Sequence, residues 1–144
     1  MRELHHRRRR ATGWVITGLA GGLMLAGCVP LFGPPPGDLR SARQACNAEY
    51  PERIGNYLPH ARCVNAAIET YAMPTAQHPD LVHLQAEVRE RLSERIDRGI
   101  ITPRTGERQM HEADAHVADA ERDRDAGRLK AARHHVDVLE AMLR

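Results

Sequence analysis

The sequence is poor in aromatic residues, and this shortage limits the kind of core that it can build. Only 3% of its 144 residues are aromatic, and Trp14 lies in a segment that we expect to be removed from the mature chain. The other aromatic residues are Phe32, Tyr50, Tyr57 and Tyr71. A core must therefore be built from Leu, Ile, Val, Met and Ala, which suits packed helices and supplies a globular α/β enzyme poorly.

The sequence also lacks the usual catalytic patterns. Ser41 and Ser93 are its only serines, and neither lies in a nucleophile elbow. There is no Cys-x-x-Cys pair and no glycine-rich phosphate loop after a strand. Charged stretches such as "EVRERLSERIDR" fit i,i+4 ion pairs on a helix surface better than paired catalytic carboxylates. We therefore predict that the protein is not an enzyme and holds no cofactor.

No apolar run is long enough to span a bilayer stably. The apolar segment at 11–25 is short and rich in glycine, and it follows a basic segment at 1–10. This order predicts a secretory signal peptide. An uncleaved signal anchor or a short buried helix is the alternative, which the nearby glycines and Pro30 disfavour.

The signal segment accounts for the basic charge of the whole chain. Residues 1–27 hold five of the 21 basic residues and one of the 19 acidic residues, which leaves 16 basic and 18 acidic residues. The formal net charge thus changes from +2 to −2 when this segment is removed. The basic composition is therefore no argument for nucleic-acid binding, and we predict no nucleic-acid partner.

The sequence Leu-Ala-Gly-Cys at 25–28 resembles the lipobox of bacterial lipoproteins. The resemblance implies cleavage between Gly27 and Cys28, a diacylglycerol on the Cys28 thiol and acylation of its new amino group. Two or three acyl chains hold a protein stably on a membrane. The next residue is Val29 and not aspartate, which implies, for a two-membrane bacterium, the inner leaflet of the outer membrane facing the periplasm. The arginine run also suggests twin-arginine export, but no matching signature follows it.

These signals divide the chain into three parts. We predict a lipoprotein signal peptide at 1–27, a lipidated cysteine with a proline-rich tether at 28–37, and a helical domain at 38–144. The tether contains Pro34, Pro35 and Pro36, which favour an extended polyproline conformation. It therefore separates the domain from the lipid surface.

Hydrophobic periodicity predicts an all-α domain. Two short helices, at 38–49 and 59–72, precede a long antiparallel helical hairpin that starts near Pro79 and turns at Gly99. Apolar residues at steps of three and four follow along the hairpin, and we expect each of them to face the core. They are Leu81, Leu84, Val88, Leu92, Ile96, Met110, Ala113, Val117, Ala120, Leu129, Ala132, Val136, Leu139 and Leu143.

The second arm of the hairpin has an ambiguous end. Thr102 and Pro103 predict where it begins, but the polar stretch at 121–130 interrupts the apolar register. We predict one long, bent helix to the C-terminus, with a break at Gly127 as the alternative.

Cys46 and Cys63 remain as an even pair once Cys28 is assigned to the lipid. Exported proteins meet oxidising conditions, so we predict a disulfide between the two short helices. Closing a loop of this length stabilises a fold by about 3 kcal/mol on the chain-entropy model. Two buried free thiols or a metal site are the alternatives.

Several histidines are candidates for metal ligands. His111 and His116 lie in "HEADAH", and His134 and His135 follow downstream. Imidazole and carboxylate groups suit transition metals. The spacing departs from the His-Glu-x-x-His motif of zinc proteases, because the second histidine falls one residue too late to share the helix face. Solvated helix faces are the simpler interpretation.

The stretch 44–126, a paired-cysteine segment followed by a charged hairpin, resembles small bacterial lipoproteins of unknown function. The resemblance brings no activity with it. We predict a membrane-anchored structural or protein-interaction module, which binds another envelope protein or forms a homo-oligomer. The alternative function is a periplasmic metal-binding or metal-sensing lipoprotein.

Overall fold

The computed structural model describes residues 37–144, and this part of the protein is entirely helical. It contains five α-helices, a short 3-10 turn and no strands, which confirms the predicted all-α class. The helices are α1 (Leu39–Glu49), α2 (Tyr57–Tyr71), α3 (Pro79–Asp97), α4 (Pro103–Asp125) and α5 (Leu129–Leu143), and the 3-10 turn is Met73–Thr75. The predicted signal peptide, Cys28 and the tether up to residue 36 lie outside the described residues.

The first two helices begin in different ways, since α1 has a cap in its own sequence, whereas the Tyr57 and Leu58 N–H groups of α2 donate to Asp97 of α3. The Asp38 carboxylate accepts a hydrogen bond of 2.8 Å from the Ser41 N–H, and the Ser41 hydroxyl accepts one from the Asp38 N–H, which is a capping box at the start of α1. Helix α2 begins at Tyr57, two residues before the predicted start. Pro59 therefore lies in its first turn, where no intrahelical N–H bond is needed.

The turn between α3 and α4 follows the predicted signals. Gly99 adopts φ 70°, and its N–H donates to the Ile96 carbonyl at 2.9 Å. The Ile100 N–H donates to the Arg95 carbonyl at 2.8 Å, which completes a Schellman motif. Thr102 then caps α4, because its hydroxyl accepts a hydrogen bond from a backbone N–H of the first turn.

Helices α3, α4 and α5 pack together as a three-helix bundle, since each of them contacts the other two. Asp80 at the start of α3 pairs with Arg124 at the end of α4, and Ile96 at the end of α3 meets Gly106 near the start of α4, so these two helices run antiparallel. The buried core of the bundle consists of Leu81, Val88, Leu92, Ala113, Val117, Ala120 and Leu139.

The prediction of one continuous helix after residue 103 is wrong. Helix α4 ends at Asp125, and Gly127 adopts the left-handed φ of 72°. The Gly127 N–H donates to the Arg124 carbonyl at 2.9 Å, and the Arg128 N–H donates to the Asp123 carbonyl at 2.7 Å. These bonds form a second Schellman motif, which satisfies the end of α4 and lets α5 turn back.

Near the break at Gly127, one residue that was predicted to face the core is exposed. Leu129 is the first residue of α5 and is 69% exposed, so its assignment to the apolar stripe is wrong. Ala132 and Leu139, further along the same helix, are buried as expected. The register of α5 is therefore set by contacts that begin one turn after its start.

Helices α1 and α2 form a smaller apolar cluster of their own. Cys46, Val64 and Ile68 are buried in it, and Val82 of α3 packs against it. Helix α2 contacts both α1 and α3, and so joins the cluster to the bundle. Within residues 37–144, no helix has the length and apolar character needed to cross a membrane.

Candidate functional site

The disulfide between α1 and α2 is present as predicted. Cys46 and Cys63 are bonded, with Cα atoms 5.7 Å apart, and Cys46 is 2% exposed. The bond holds α1, whose own buried residues are only Ala42 and Cys46, against α2. It occupies two of the three cysteines of the chain.

Two of the four candidate histidines meet between α4 and α5. The Nδ1 atoms of His116 and His135 lie 2.9 Å apart, so one ring donates a hydrogen bond and the other accepts it. His111 is exposed on α4, and His134 is exposed on α5 beside His135. The structure thus joins His116 to His135 and keeps His111 apart from them.

A buried carboxylate supports this histidine pair from the end of α4. Asp123 is 9% exposed, and its Oδ1 accepts two hydrogen bonds from Arg128, one of them from Nε at 2.9 Å. Its Oδ2 lies 3.7 Å from the Nε2 of His135. The Asp123 side chain therefore ties the turn between α4 and α5 to the inner face of α5.

The histidine pair does not assemble a ligand set for a metal ion. A stable site needs three or more protein ligands around one point, and no group of three or more His, Cys, Asp or Glu side chains in residues 37–144 could hold one. Asp123 approaches the ring of His135 on the side opposite to His116. The arrangement can instead hold one proton between two imidazoles, next to a carboxylate.

An open groove lies between α2 and α3. Its volume is about 790 Å³, and the last turn of α5 contributes Leu143 to its wall. The apolar part of the lining comes from Leu58, Ala66, Ile68, Met73, Val82, Ala86 and Leu143. Such a surface gives a partner an apolar face to cover.

Carboxylates outnumber cations along this groove. Glu69, Glu87, Glu90 and Glu94 line it, together with Arg62 and Arg91. Glu90 pairs with Arg62 at 3.4 Å, and Glu94 pairs with Arg91 at 3.1 Å. Within the described part of the chain, Glu69 and Glu87 form no ion pair or hydrogen bond, so they leave the groove negatively charged.

A smaller cavity of about 190 Å³ lies on the other side of α3. It is bounded by the α1–α2 connection and by the facing sides of α3 and α4. Gly106 of α4 forms part of its wall, and a Cβ added there would stand 2.4 Å from the Cδ1 of Ile96. The Ile96 side chain therefore packs directly on the backbone of α4 at this end of the cavity, and a larger residue at Gly106 would displace it.

Arg89 lies in the lining of this cavity and is half-buried. Its Nη1 donates a hydrogen bond of 2.5 Å to the Asn65 Oδ1. Burial lowers the pKa of its guanidinium, the carboxylate of Asp114 acts in the opposite direction, and Arg43 adds to the decrease. The cation is therefore held in a partly desolvated place with a neutral hydrogen-bond partner.

No protein-family model matches the chain, and comparison with curated proteins and with solved structures finds no match either.

Sequence reasoning missed both concave surfaces, and it missed Arg89 in the lining of the smaller cavity. Arg89 lies four residues after Gln85 and three before Leu92, at the border of the apolar stripe of α3. A charged residue at the border of an apolar stripe can be recognised from the periodicity alone, so Arg89 could have been found in this way. The groove had no signal of its own, because it depends on how α2 rests against α3.

Proposed function

We propose that the protein is a lipid-anchored bacterial envelope protein, whose helical domain binds another envelope protein through the groove between α2 and α3. The anchor is proposed at Cys28, after removal of residues 1–27. The bond between Cys46 and Cys63 supports this assignment, because it leaves Cys28 as the single cysteine outside the disulfide. The absence of aspartate at Val29 favours the outer membrane in a two-membrane host.

The second part of the proposal is that the groove between α2 and α3 binds a partner. Its apolar floor and its unpaired Glu69 and Glu87 are complementary to an amphipathic helix with a basic border. A domain held on a lipid tether meets a partner on the same membrane at high local concentration, so a groove of low affinity is sufficient for binding. We therefore propose a basic amphipathic segment of a neighbouring envelope protein as the occupant.

The anchor is tested by expressing the full chain in a two-membrane bacterium. We expect mass spectrometry to find a diacylglycerol-modified Cys28 at the N-terminus and detergent-phase partitioning to follow it. The Cys28→Ser variant should lose both properties. Val29→Asp should move the protein from the outer to the inner membrane. An unmodified Cys28, or unchanged partitioning of Cys28→Ser, would overturn the anchor.

The groove is tested by charge reversal. Glu69→Lys/Glu87→Lys should abolish the co-purification of a stoichiometric partner in mild detergent. Glu112→Lys/Glu140→Lys, which makes the same change of charge at exposed sites on α4 and α5, should retain it. A monomer without partner, or equal recovery of a partner with both variants, contradicts the proposed docking site.

A further inference from the structure

The cavity between the α1–α2 connection, α3 and α4 has the size of a very small ligand. Its volume of about 190 Å³ corresponds to about six water molecules at ~30 Å³ each. Pockets for drug-sized molecules begin at about 300 Å³. The apolar residues that line the cavity are Pro51, Leu92, Ile96, Pro103 and Met110. The space thus suits a compact molecule with an apolar body.

Arg89 lines the cavity and forms no direct ion pair with another described residue. Arg89 is half-buried and has one hydrogen bond, to the neutral amide of Asn65, although a guanidinium offers five donors. No carboxylate of residues 37–144 forms an ion pair with it within 4.0 Å. The carboxylate of Asp114 attracts the guanidinium without a direct ion pair. Most of the donors of Arg89 therefore stay unused in a partly desolvated place, where an anion that accepts from them is favourable. A carboxylate fits best, because it can accept two parallel hydrogen bonds from the guanidinium.

The mouth of the cavity carries the opposite charge. Glu52 and Glu107 belong to its lining and are exposed. Burial raises the pKa of the nearby Tyr57, and the charges of Glu52, Asp97 and Glu107 add to this increase. Asp97 is already engaged, since it accepts hydrogen bonds from backbone N–H groups at the start of α2. Glu52 and Glu107 therefore remain available at this end.

The two charged ends are separate. Arg89 lies on α3, whereas Glu52 lies in the connection between α1 and α2, and Glu107 lies near the start of α4. The cavity therefore has a cation at one place, carboxylates at another, and apolar side chains between the charged groups. A ligand that satisfies every group must carry both charges.

We propose that this cavity binds a small zwitterion, namely a free α-amino acid with a compact apolar side chain. The carboxylate of the ligand pairs with Arg89, and its ammonium group is held by Glu52 and Glu107. The side chain of the ligand packs against Leu92 and Met110. This function is independent of the proposed docking groove, because the two surfaces share no lining residue.

The test is calorimetric titration of the full chain, purified in mild detergent, with leucine, valine and methionine. We expect saturable binding of one molecule per chain for at least one of them. Two analogues of leucine each remove one charge: 4-methylpentanoate lacks the ammonium, and 3-methylbutylamine lacks the carboxylate. Each should bind about tenfold more weakly or worse, which is about 1.4 kcal/mol.

Variants separate the two ends of the site. Arg89→Gln should abolish amino-acid binding, while the control Arg95→Gln, on the same helix and outside the cavity lining, should retain it. Should Arg89→Gln fail to fold, the exposed Glu107→Gln decides: it should weaken leucine binding and leave 4-methylpentanoate unchanged. Absence of binding of all three amino acids at millimolar concentration overturns the proposal. Equal affinity for leucine and 4-methylpentanoate, or leucine binding unchanged in a folded Arg89→Gln or in Glu107→Gln, overturns it as well.

Discussion

The described chain contains two regions that are stabilised by different means. The bundle of α3, α4 and α5 buries seven residues in one cluster, whereas the cluster shared by α1 and α2 contains three buried residues, one of which is the disulfide-bonded Cys46. A small core supplies little free energy of unfolding, and small folds commonly add a covalent link. The disulfide thus lies in the region with the smaller buried apolar cluster.

The largest loss of stability is expected from a substitution in the core of the bundle. Leu139 is fully buried between the helices, so Leu139→Ala should lower the free energy of unfolding by about 2–5 kcal/mol, since it leaves a cavity. Denaturant unfolding followed by circular dichroism measures the loss. The matched control is Leu129→Ala on the same helix, where the side chain is 69% exposed and little change is expected. Equal losses in both variants would contradict the described register of α5.

The next largest loss of stability is expected from removal of the disulfide between α1 and α2. Cys46→Ala/Cys63→Ala should cost about 3 kcal/mol, because the unfolded chain regains the entropy of an open loop. Native-state hydrogen exchange should place the lost protection in α1 and α2, while α3 to α5 keep theirs. Addition of a reductant to the unmodified chain should reproduce the result and leave the double variant unchanged. Uniform loss across all five helices would mean that the regions are not separate in stability.

A smaller loss of stability is expected from substitution of Gly127 in the turn between α4 and α5. Gly127→Ala forces a side chain into the left-handed conformation and should cost about 1–2 kcal/mol. Gly127→Asn should cost less, because asparagine tolerates this conformation. Thermal unfolding of the two variants measures the difference. If alanine is tolerated without loss, α4 and α5 form one continuous helix in solution.

The smallest effect concerns acid sensitivity. Hydrogen bonds from Arg124 lower the pKa of Asp80 below its ordinary 3.8. The stability from this pair is therefore complete above that value and is lost as the pH falls through the lowered pKa. Asp80→Asn should remove this part of the acid-induced loss, measured as unfolding midpoints from pH 6 to pH 2. An acid response of Asp80→Asn equal to that of the unmodified chain would contradict this contribution of the pair.

Local signals predicted both ends of α3 and the start of α4, because these positions depend on a few neighbouring residues. Pro79, Gly99 and Thr102 act within one turn of their own positions, and each lies where its chemistry indicates. The pairing of Cys46 with Cys63 was predicted from the even number of cysteines left after Cys28 and from the expected export of the chain. These features needed no knowledge of the tertiary fold.

Other features depend on contacts that are distant in sequence. A glycine can either bend a helix or end it. The hydrogen bonds between Asp123 and Arg128 favour the end of α4 before Gly127. The histidine pair arises because α5 turns back on α4. The cavity at Arg89 requires three segments to meet. Periodicity describes one helix at a time and therefore did not reveal them.

The order of the helix contacts has a consequence for how the chain folds. The main interfaces join α1 to α2, α2 to α3, α3 to α4 and α4 to α5, and only α3 with α5 skips a helix. Such a fold has a low contact order, so each helix can dock on the one made just before it. A chain that emerges with its N-terminus first can therefore dock each helix on the previous one, and the core of the bundle is completed when α5 adds Leu139.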